Sequence, residues 1–305
     1  MIRVTSQLLV NTPYPRSVPK LPEDMTVPEG HLQEGPPVAV KDAASVVLAR
    51  DRVAENGTSG VEVFLLRRVT SMAFAGGMTV FPGGGVDRRD ADSAIDTTAW
   101  SGPGPGWWAE RFACGPPLAR ALVCAAVRET FEESGVLLAG PDEHSVVSDA
   151  TPYAWARQAL VNRELSLAEF LADAGLVLRA DLLVPWSNWI TPEGEPRRYD
   201  TRFFLAALPS GQRADGATSE ADQANWNRPV EALEDCKAGR RGLLPPTWVT
   251  LTELAEFDSV ADAMAAQRRV DMIIAKLIRQ NGLIKPVLPG DDGYEEAPES
   301  LDVHP

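Results

Sequence analysis

Arg128-Glu129-Thr130-Phe131-Glu132-Glu133-Ser134-Gly135-Val136 closes a helical segment that begins near Pro116-Pro117. Glu129, Glu132 and Glu133 are spaced i, i+3, i+4, so a helix stacks their carboxylates on one face within little more than a turn. Three like charges there repel one another. Two explanations stand side by side: a solvated acidic face on a surface helix, since glutamate is a good helix former, or a cation seated among the acids. Hard divalent ions such as Mg²⁺ take oxygen ligands, and clustered carboxylates supply them. Gly135 then ends the helix as a left-handed cap, and Val136-Leu137-Leu138 opens an apolar run that reads as a buried strand or a helix-to-strand turn.

Upstream lies a second independent piece, Phe81-Pro82-Gly83-Gly84-Gly85-Val86-Asp87, a glycine turn directly after the apolar Met78-Thr79-Val80-Phe81. Together the two pieces resemble the Nudix hydrolase superfamily, whose signature reads G-x5-E-x7-R-E-U-x-E-E-x-G-U with U aliphatic. Here Gly84 is followed after five residues by Asp90, a shorter acid than the family's Glu, and Thr130 stands at an aliphatic position. The spacer from Ala91 to Val127 is 37 residues against the family's 7, an insertion of 30. A loop absorbs such an excursion because closure entropy rises slowly with length.

That resemblance implies an α+β fold, an α/β/α sandwich with a mixed β-sheet flanked by helices. It implies Glu132 and Glu133 as primary Mg²⁺ ligands, Glu129 as ligand or water-activating base, and the Gly83 carbonyl as an extra ligand, with Mn²⁺ as the alternative ion. Arg128 is then expected to hold Glu129 in place by a charge-assisted hydrogen bond. The implied reaction is hydrolysis of a diphosphate linkage, in which charge on the attacked phosphate is neutralised and a water is aligned.

Before the glycine turn runs Arg67-Arg68-Val69-Thr70-Ser71-Met72-Ala73-Phe74-Ala75-Gly76-Gly77, a strand end and a loop whose glycines supply unusual backbone angles. Arginines leaving a strand beside a phosphate site can bind diphosphate oxygens bidentately, so Arg67 and Arg68, with Gly83 and Gly84, are the candidate substrate-binding residues. Leu65-Leu66, Arg68 and Gly77 through Gly84 are similar to the motif of coenzyme A diphosphatases. Ala73 stands where that motif has arginine. Trp189-Ile190-Thr191-Pro192, Arg197 to Phe204 and Thr247 to Leu254 resemble the branch that includes the peroxisomal coenzyme A and acyl-coenzyme A diphosphatase, which also carries a long insertion ahead of its helix.

Composition is consistent with that class. In 305 residues, 44% are hydrophobic and 24% charged, enough to bury a sizeable core. The balance of 29 basic against 43 acidic residues, net −14, disfavours nucleic acid or an anionic membrane as partner. Cys114, Cys124 and Cys236 form no C-x-x-C pair and cannot all be paired, which points to a reducing, cytoplasmic setting. Cys124, inside the helix, reads as a small buried thiol. Met1 to Tyr14 lacks an apolar signal core, and no apolar run approaches 18 residues.

Residues 1–37 are proline-rich and without period, an extended segment with a role in a homodimer. The main domain spans 38–290, with strands at Ala43–Leu48, Val61–Leu66, Met78–Phe81 and Tyr199–Phe203. Residues 91–117 form a loop insertion in which Ser101 to Gly106 is irregular and Trp107, Trp108 and Phe112 either stack on adenine or cap the core. Residues 151–175 form a helical pair, with a Thr-Pro start at Thr151 and a cap at Ser166, a candidate lid. Glu220 is chosen over Asp222 as a further carboxylate ligand from a loop, against the plain reading of a solvated acid. Ser259 to Gln280 has a helical period, and residues 291–305 form an acidic, extended tail.

Three functions follow. The leading one is a Mg²⁺-dependent pyrophosphohydrolase of a nucleoside diphosphate derivative, with coenzyme A or acyl-coenzyme A first. The second is a Nudix hydrolase of ADP-ribose, NADH or a nucleoside triphosphate, suggested by Ala73. The third is a silent Nudix-type ligand sensor, against which retention of Glu129, Glu132 and Glu133 argues.

Overall fold

A computed structural model describes residues 18–27, 32, 37–53, 59–72, 74–91, 99–266 and 268–299. The chain opens with strands β1 (Val40–Val53), β2 (Ser59–Arg68), β3 (Met78–Val80) and β4 (Gly83–Gly85). The insertion contributes β5 (Trp100–Ser101) and helix α1 (Pro105–Phe112), and α2 (Pro116–Ser134) follows. Then come β6 (Ala139–Gly140), α3 (Ala154–Val161), α4 (Leu167–Ala174), β7 (Val177–Arg179), β8 (Leu183–Ile190), β9 (Arg198–Ala207) and β10 (Ala221–Asn227). The last third holds α5 (Pro229–Lys237), β11 (Gly242–Leu243), α6 (Pro245–Leu254), α7 (Val260–Ala265), β12 (Met272–Ile274), β13 (Lys276–Gln280) and β14 (Leu283–Val287).

Nine strands make one mixed sheet in the order β11-β3-β2-β1-β9-β8-β12, with β10 beside β2 and β4 beside β1. Its centre is the parallel pair β1 and β9, in register from Val40 opposite Arg198 to Ala49 opposite Ala207. Successive residues face opposite sides of a strand. Ala44, Val46, Leu48, Phe64, Leu66, Phe204 and Ala206 pack under α1 to α4, whereas Val47, Ala49, Val63, Leu65, Phe203 and Leu205 pack with Trp248, Val249 and Leu251 of α6 on the other face. Helices on both faces explain why these strands are apolar without interruption, and the layers form the expected α/β/α sandwich.

From residue 99 onward, the 91–117 insertion is more ordered than its sequence suggests. Ser101 pairs with Arg179 in a small sheet of β5, β7 and β6, and Pro105 and Gly106 begin α1, because proline is tolerated in a first helical turn. Trp108 is fully buried, 6.0 Å from the Phe112 ring and 5.5 Å from that of Phe204. It belongs to the core, as one of the two readings held. In the helical pair, Ser166 caps α4 in a reciprocal capping box with Glu169.

Two expectations are corrected. The helix foreseen over Ser259–Gln280 ends at Ala265, and the chain then adds β12 to the sheet edge alongside β8. Ile273 and Ile274 carry β-branched side chains that fit this strand, so pairing overrides the helical period. The acidic segment expected to be extended over 291–305 turns back on the domain as far as residue 299: Tyr294 donates its hydroxyl to the Ile274 carbonyl at 3.0 Å, and Lys276 donates to the Ala297 carbonyl at 3.1 Å. Of the N-terminal segment, Val27 bridges Ile284 and Leu32 packs on Leu277 and Ile284; residues 1–17, 28–31 and 33–36 lie outside the described residues, as does Ala73. Among the described residues no helix is long and apolar enough to cross a membrane.

Candidate active site

Helix α2 crosses the sheet with Leu122, Val123, Cys124 and Val127 buried, and its last two turns bring the acidic face against the glycine strand. Gly135 caps it at φ 72°, its N–H donating to the Phe131 carbonyl. Thr130, polar where the family is aliphatic, is fully buried and spends its hydroxyl on the Ala126 carbonyl at 2.7 Å. That back-bond removes the cost of a buried donor. Val136 to Leu138 is buried and irregular, the helix-to-strand turn of the two readings, leading into β6: the Gln212 side chain accepts from the Leu137 N–H and donates to the Leu137 carbonyl, both at 2.8 Å, in place of a ladder.

Strand β4 lies antiparallel to β1, with Gly84 opposite Ala44. An added Cβ at Gly83 would meet the Ala44 carbonyl oxygen at 2.5 Å, and one at Gly84 would meet Glu129 Oε1 at 2.5 Å. Bare backbone is therefore required between β1 and the helix. The Gly83 N–H donates to Glu133 at 2.8 Å.

Arg128 is the hub of the face. Its Nη1 donates to Glu129 at 2.7 Å and to Glu132 at 3.3 Å, and its Nη2 donates to the Gly85 carbonyl at 3.1 Å. Asp90 takes the other side of the guanidinium through two bonds of 2.8 Å. The shorter acid in the signature thus aligns Arg128 and does not join the carboxylate face. Asp87 donates its N–H to Asp90 at 2.7 Å and pairs with Arg89 at 3.1 Å, which holds the Asp87 carboxyl down at about 2.

Burial pushes the Glu129 carboxyl up to about 7 against the pull of Arg128. It also raises Glu132, and it raises Glu133 well above the ordinary range with the Glu129 charge adding to it. Among the described residues no three acid, histidine or cysteine side chains converge tightly enough to chelate an ion. The cause is visible: Arg128 draws Glu129 and Glu132 one way, and Gly83 draws Glu133 the other. In chemistry the donor set fits a hard dication, since three crowded carboxylates resist ionisation without one.

The two candidate arginines are separated by strand alternation. Arg68 shares the face of Phe64 and Leu66, toward α2, and contacts Glu220 at 3.3 Å and the Met72 sulfur at 3.5 Å; its buried Nε has no hydrogen-bond partner. Arg67 points to the other face of β2 and is held by Asp222 at 2.7 and 2.9 Å. Glu220 is half exposed, yet its charge is felt at Glu133. Cys124 is buried in the core, where burial pushes its thiol up to about 12, removing it as a nucleophile. Sequence reading did not single out Arg157, whose Nε donates to the Glu132 carbonyl at 2.9 Å, or Arg89. Arg89 could have been suspected from its place one residue before Asp90; Arg157 carried no signal.

Comparison with known proteins agrees with this architecture. The NUDT19 Nudix domain family matches residues 113–254. The acyl-coenzyme A diphosphatase NUDT19 of Gallus gallus is 30% identical over 85% of this chain and 81% of its own length. The human protein of the same name is 29% identical over 80% and 75%. A crystal structure of a Nudix hydrolase from Alicyclobacillus acidocaldarius superposes with a TM-score of 0.61 at 27% identity, covering 76% of this chain and 99% of that one. Nudix hydrolases generally use divalent cations. On its glycine strand, its carboxylate helix and these likenesses, the chain belongs to the Nudix hydrolases, as a pyrophosphohydrolase of the NUDT19 branch.

Proposed function

We propose that the protein hydrolyses the diphosphate linkage of coenzyme A and its acyl thioesters, with Mg²⁺ as the ion and Mn²⁺ as its substitute. The observation that carries this reading is the face of Glu129, Glu132 and Glu133 set against the bare backbone of Gly83 and Gly84. The names of the chicken and human relatives support the substrate.

In this reading Glu129, Glu132, Glu133 and the Gly83 carbonyl hold the ion, with Glu220 from the loop before β10. When bound, the ion neutralises charge on the attacked phosphate and lowers the pKa of a coordinated water. Arg128 fixes the carboxylates. Arg68, facing the same side with an unused Nε, takes a diphosphate oxygen, and the Gly83–Gly84 backbone admits the linkage closely. Water adds to one phosphorus as the P–O–P bond breaks, giving 3′,5′-ADP and 4′-phosphopantetheine. The active domain spans residues 38–290 and works in a reducing cytoplasm, consistent with three free cysteines. A homodimer through the N-terminal segment is part of the same proposal, and a net charge of −14 disfavours a nucleic-acid partner.

A second reading, hydrolysis of ADP-ribose, NADH or a nucleoside triphosphate, is favoured by Ala73 in place of the motif's arginine. A panel of diphosphates incubated with Mg²⁺ decides between them. Release of 4′-phosphopantetheine supports the first, and AMP with ribose 5-phosphate the second. Glu133→Gln should abolish turnover with the fold intact; undiminished turnover in that variant removes the metal assignment.

A further inference from the structure

Arg89 lies in the stretch between the glycine strand and Asp90, on a short helical turn at Arg88–Ala91. Its guanidinium reaches two places at once. Nε and Nη2 donate to the Asp87 carboxylate at 3.2 and 3.1 Å, while Nη1 donates to the carbonyls of Arg163 and Leu165 at 3.0 and 3.2 Å. Those carbonyls belong to the turn joining α3 to α4, where Arg163 sits at φ 61°. That left-handed residue lets the chain close on the end of α3, with the Glu164 N–H donating to the Ala159 carbonyl at 2.8 Å, and it leaves the Arg163 and Leu165 carbonyls turned toward Arg89.

The contacts continue without a gap. From the α3–α4 turn they run through Arg89 to Asp87, from the Asp87 N–H to Asp90, from Asp90 to Arg128, and from Arg128 to Glu129 and Glu132. A second arm comes from α3 itself, where Arg157 grips the Glu132 carbonyl. The helical insertion therefore reaches the acidic helix by two routes, one through Arg89 and one at the Glu132 backbone, although none of its own side chains is a ligand candidate.

We propose that Arg89 is a positioning residue, fastening the inserted α3–α4 pair to the glycine strand so that the insertion fixes the ion-binding carboxylates. This rests on the hydrolase reading above for its purpose, and on geometry alone for its existence. The pair is then a brace, not a lid. Partners behind metal ligands typically govern affinity or activity by about 10- to 100-fold.

The test uses the full chain. Mn²⁺ affinity is measured by electron paramagnetic resonance for the wild type, Arg89→Ala, Arg89→Lys and Ser166→Ala, alongside kcat, KM for coenzyme A and the Mg²⁺ concentration at half-maximal rate. Arg89→Ala should weaken Mn²⁺ about tenfold or more and raise the Mg²⁺ requirement in parallel, with KM within about twofold. Arg89→Lys, which keeps the charge but cannot span both partners, should fall between; it also serves if Arg89→Ala does not fold. Ser166→Ala, which loosens α4 at its cap beside Leu165 but leaves Arg89 in place, should weaken Mn²⁺ less than Arg89→Ala does. Wild-type Mn²⁺ affinity in folded Arg89 variants, or a rise confined to KM, overturns the proposal. A wild type that binds Mn²⁺ but hydrolyses no diphosphate sinks the proposed function and leaves the positioning role standing.

Discussion

Asp90 grips Arg128 through two parallel bonds of 2.8 Å, with both side chains almost wholly shielded from solvent. Removing Asp90 leaves Arg128 Nε without a partner in a low-dielectric setting, with only Glu129 and Glu132 still set against its charge. Asp90→Ala is expected to cost about 3–5 kcal/mol of stability, read from urea unfolding. A loss below 1 kcal/mol would mean that Arg128 finds water or another acid.

Gly84 has no side chain because Glu129 occupies its place. In Gly84→Ala the new methyl would stand 2.5 Å from Glu129 Oε1, so the carboxylate must shift from the position in which it meets Arg128. We expect kcat to fall about 10- to 100-fold and the Mg²⁺ requirement to rise, with circular dichroism unchanged. A wild-type rate in this variant would separate Glu129 from the chemistry.

Without a divalent ion, Glu129 keeps its proton up to about pH 7 in the folded protein, whereas an ordinary glutamate loses it near 4.5. Between those values the unfolded chain releases a proton that the folded chain retains, so this group's contribution to stability falls as pH rises. Glu132 and Glu133 are raised as well and act in the same direction. Metal-free wild type should therefore lose more stability from pH 5 to pH 7.5 than Glu129→Gln does, and Mg²⁺ should restore it at pH 7.5. Equal slopes in the two proteins would refute the burial assigned to Glu129.

Arg68 and Arg67 are adjacent in sequence and opposite in orientation. Arg68→Ala is expected to raise KM for a diphosphate substrate about tenfold or more, the worth of a charged hydrogen bond. Arg67→Ala, which breaks only an exposed pair with Asp222, should behave as wild type. The reverse pattern in steady-state kinetics would place the substrate on the other face of β2.

The carboxylate helix was legible because i, i+3, i+4 spacing and a terminal glycine act through local geometry, and the sandwich because doubly buried strands show as unbroken apolar runs. What sequence could not show was partner choice at long range. Asp90 reads only as a shorter acid at the family's Glu position, and its contact with Arg128, 38 residues away, reveals an aligning role. Arg157 is an ordinary helical arginine until α3 folds beside Glu132. The helical period over Val260 to Leu277 was real for one short helix, after which a free sheet edge beside Asn188 to Ile190 captured the remainder. The aromatics at 107 to 112 left two uses open, and Phe204 on β9 decides it for Trp108.

Trp108 also changes what the 30 extra residues are. They return to the interior as a wall: its indole lies across Phe204 and alongside Phe112, and its Nε1 donates to the Pro103 carbonyl at 3.0 Å. Pruning the chain back to the ordinary spacer would not shorten an appendage but excavate the molecule beneath β9. A trimmed version of this fold has to refill that volume with bulkier groups from sheet or helix before it can stand.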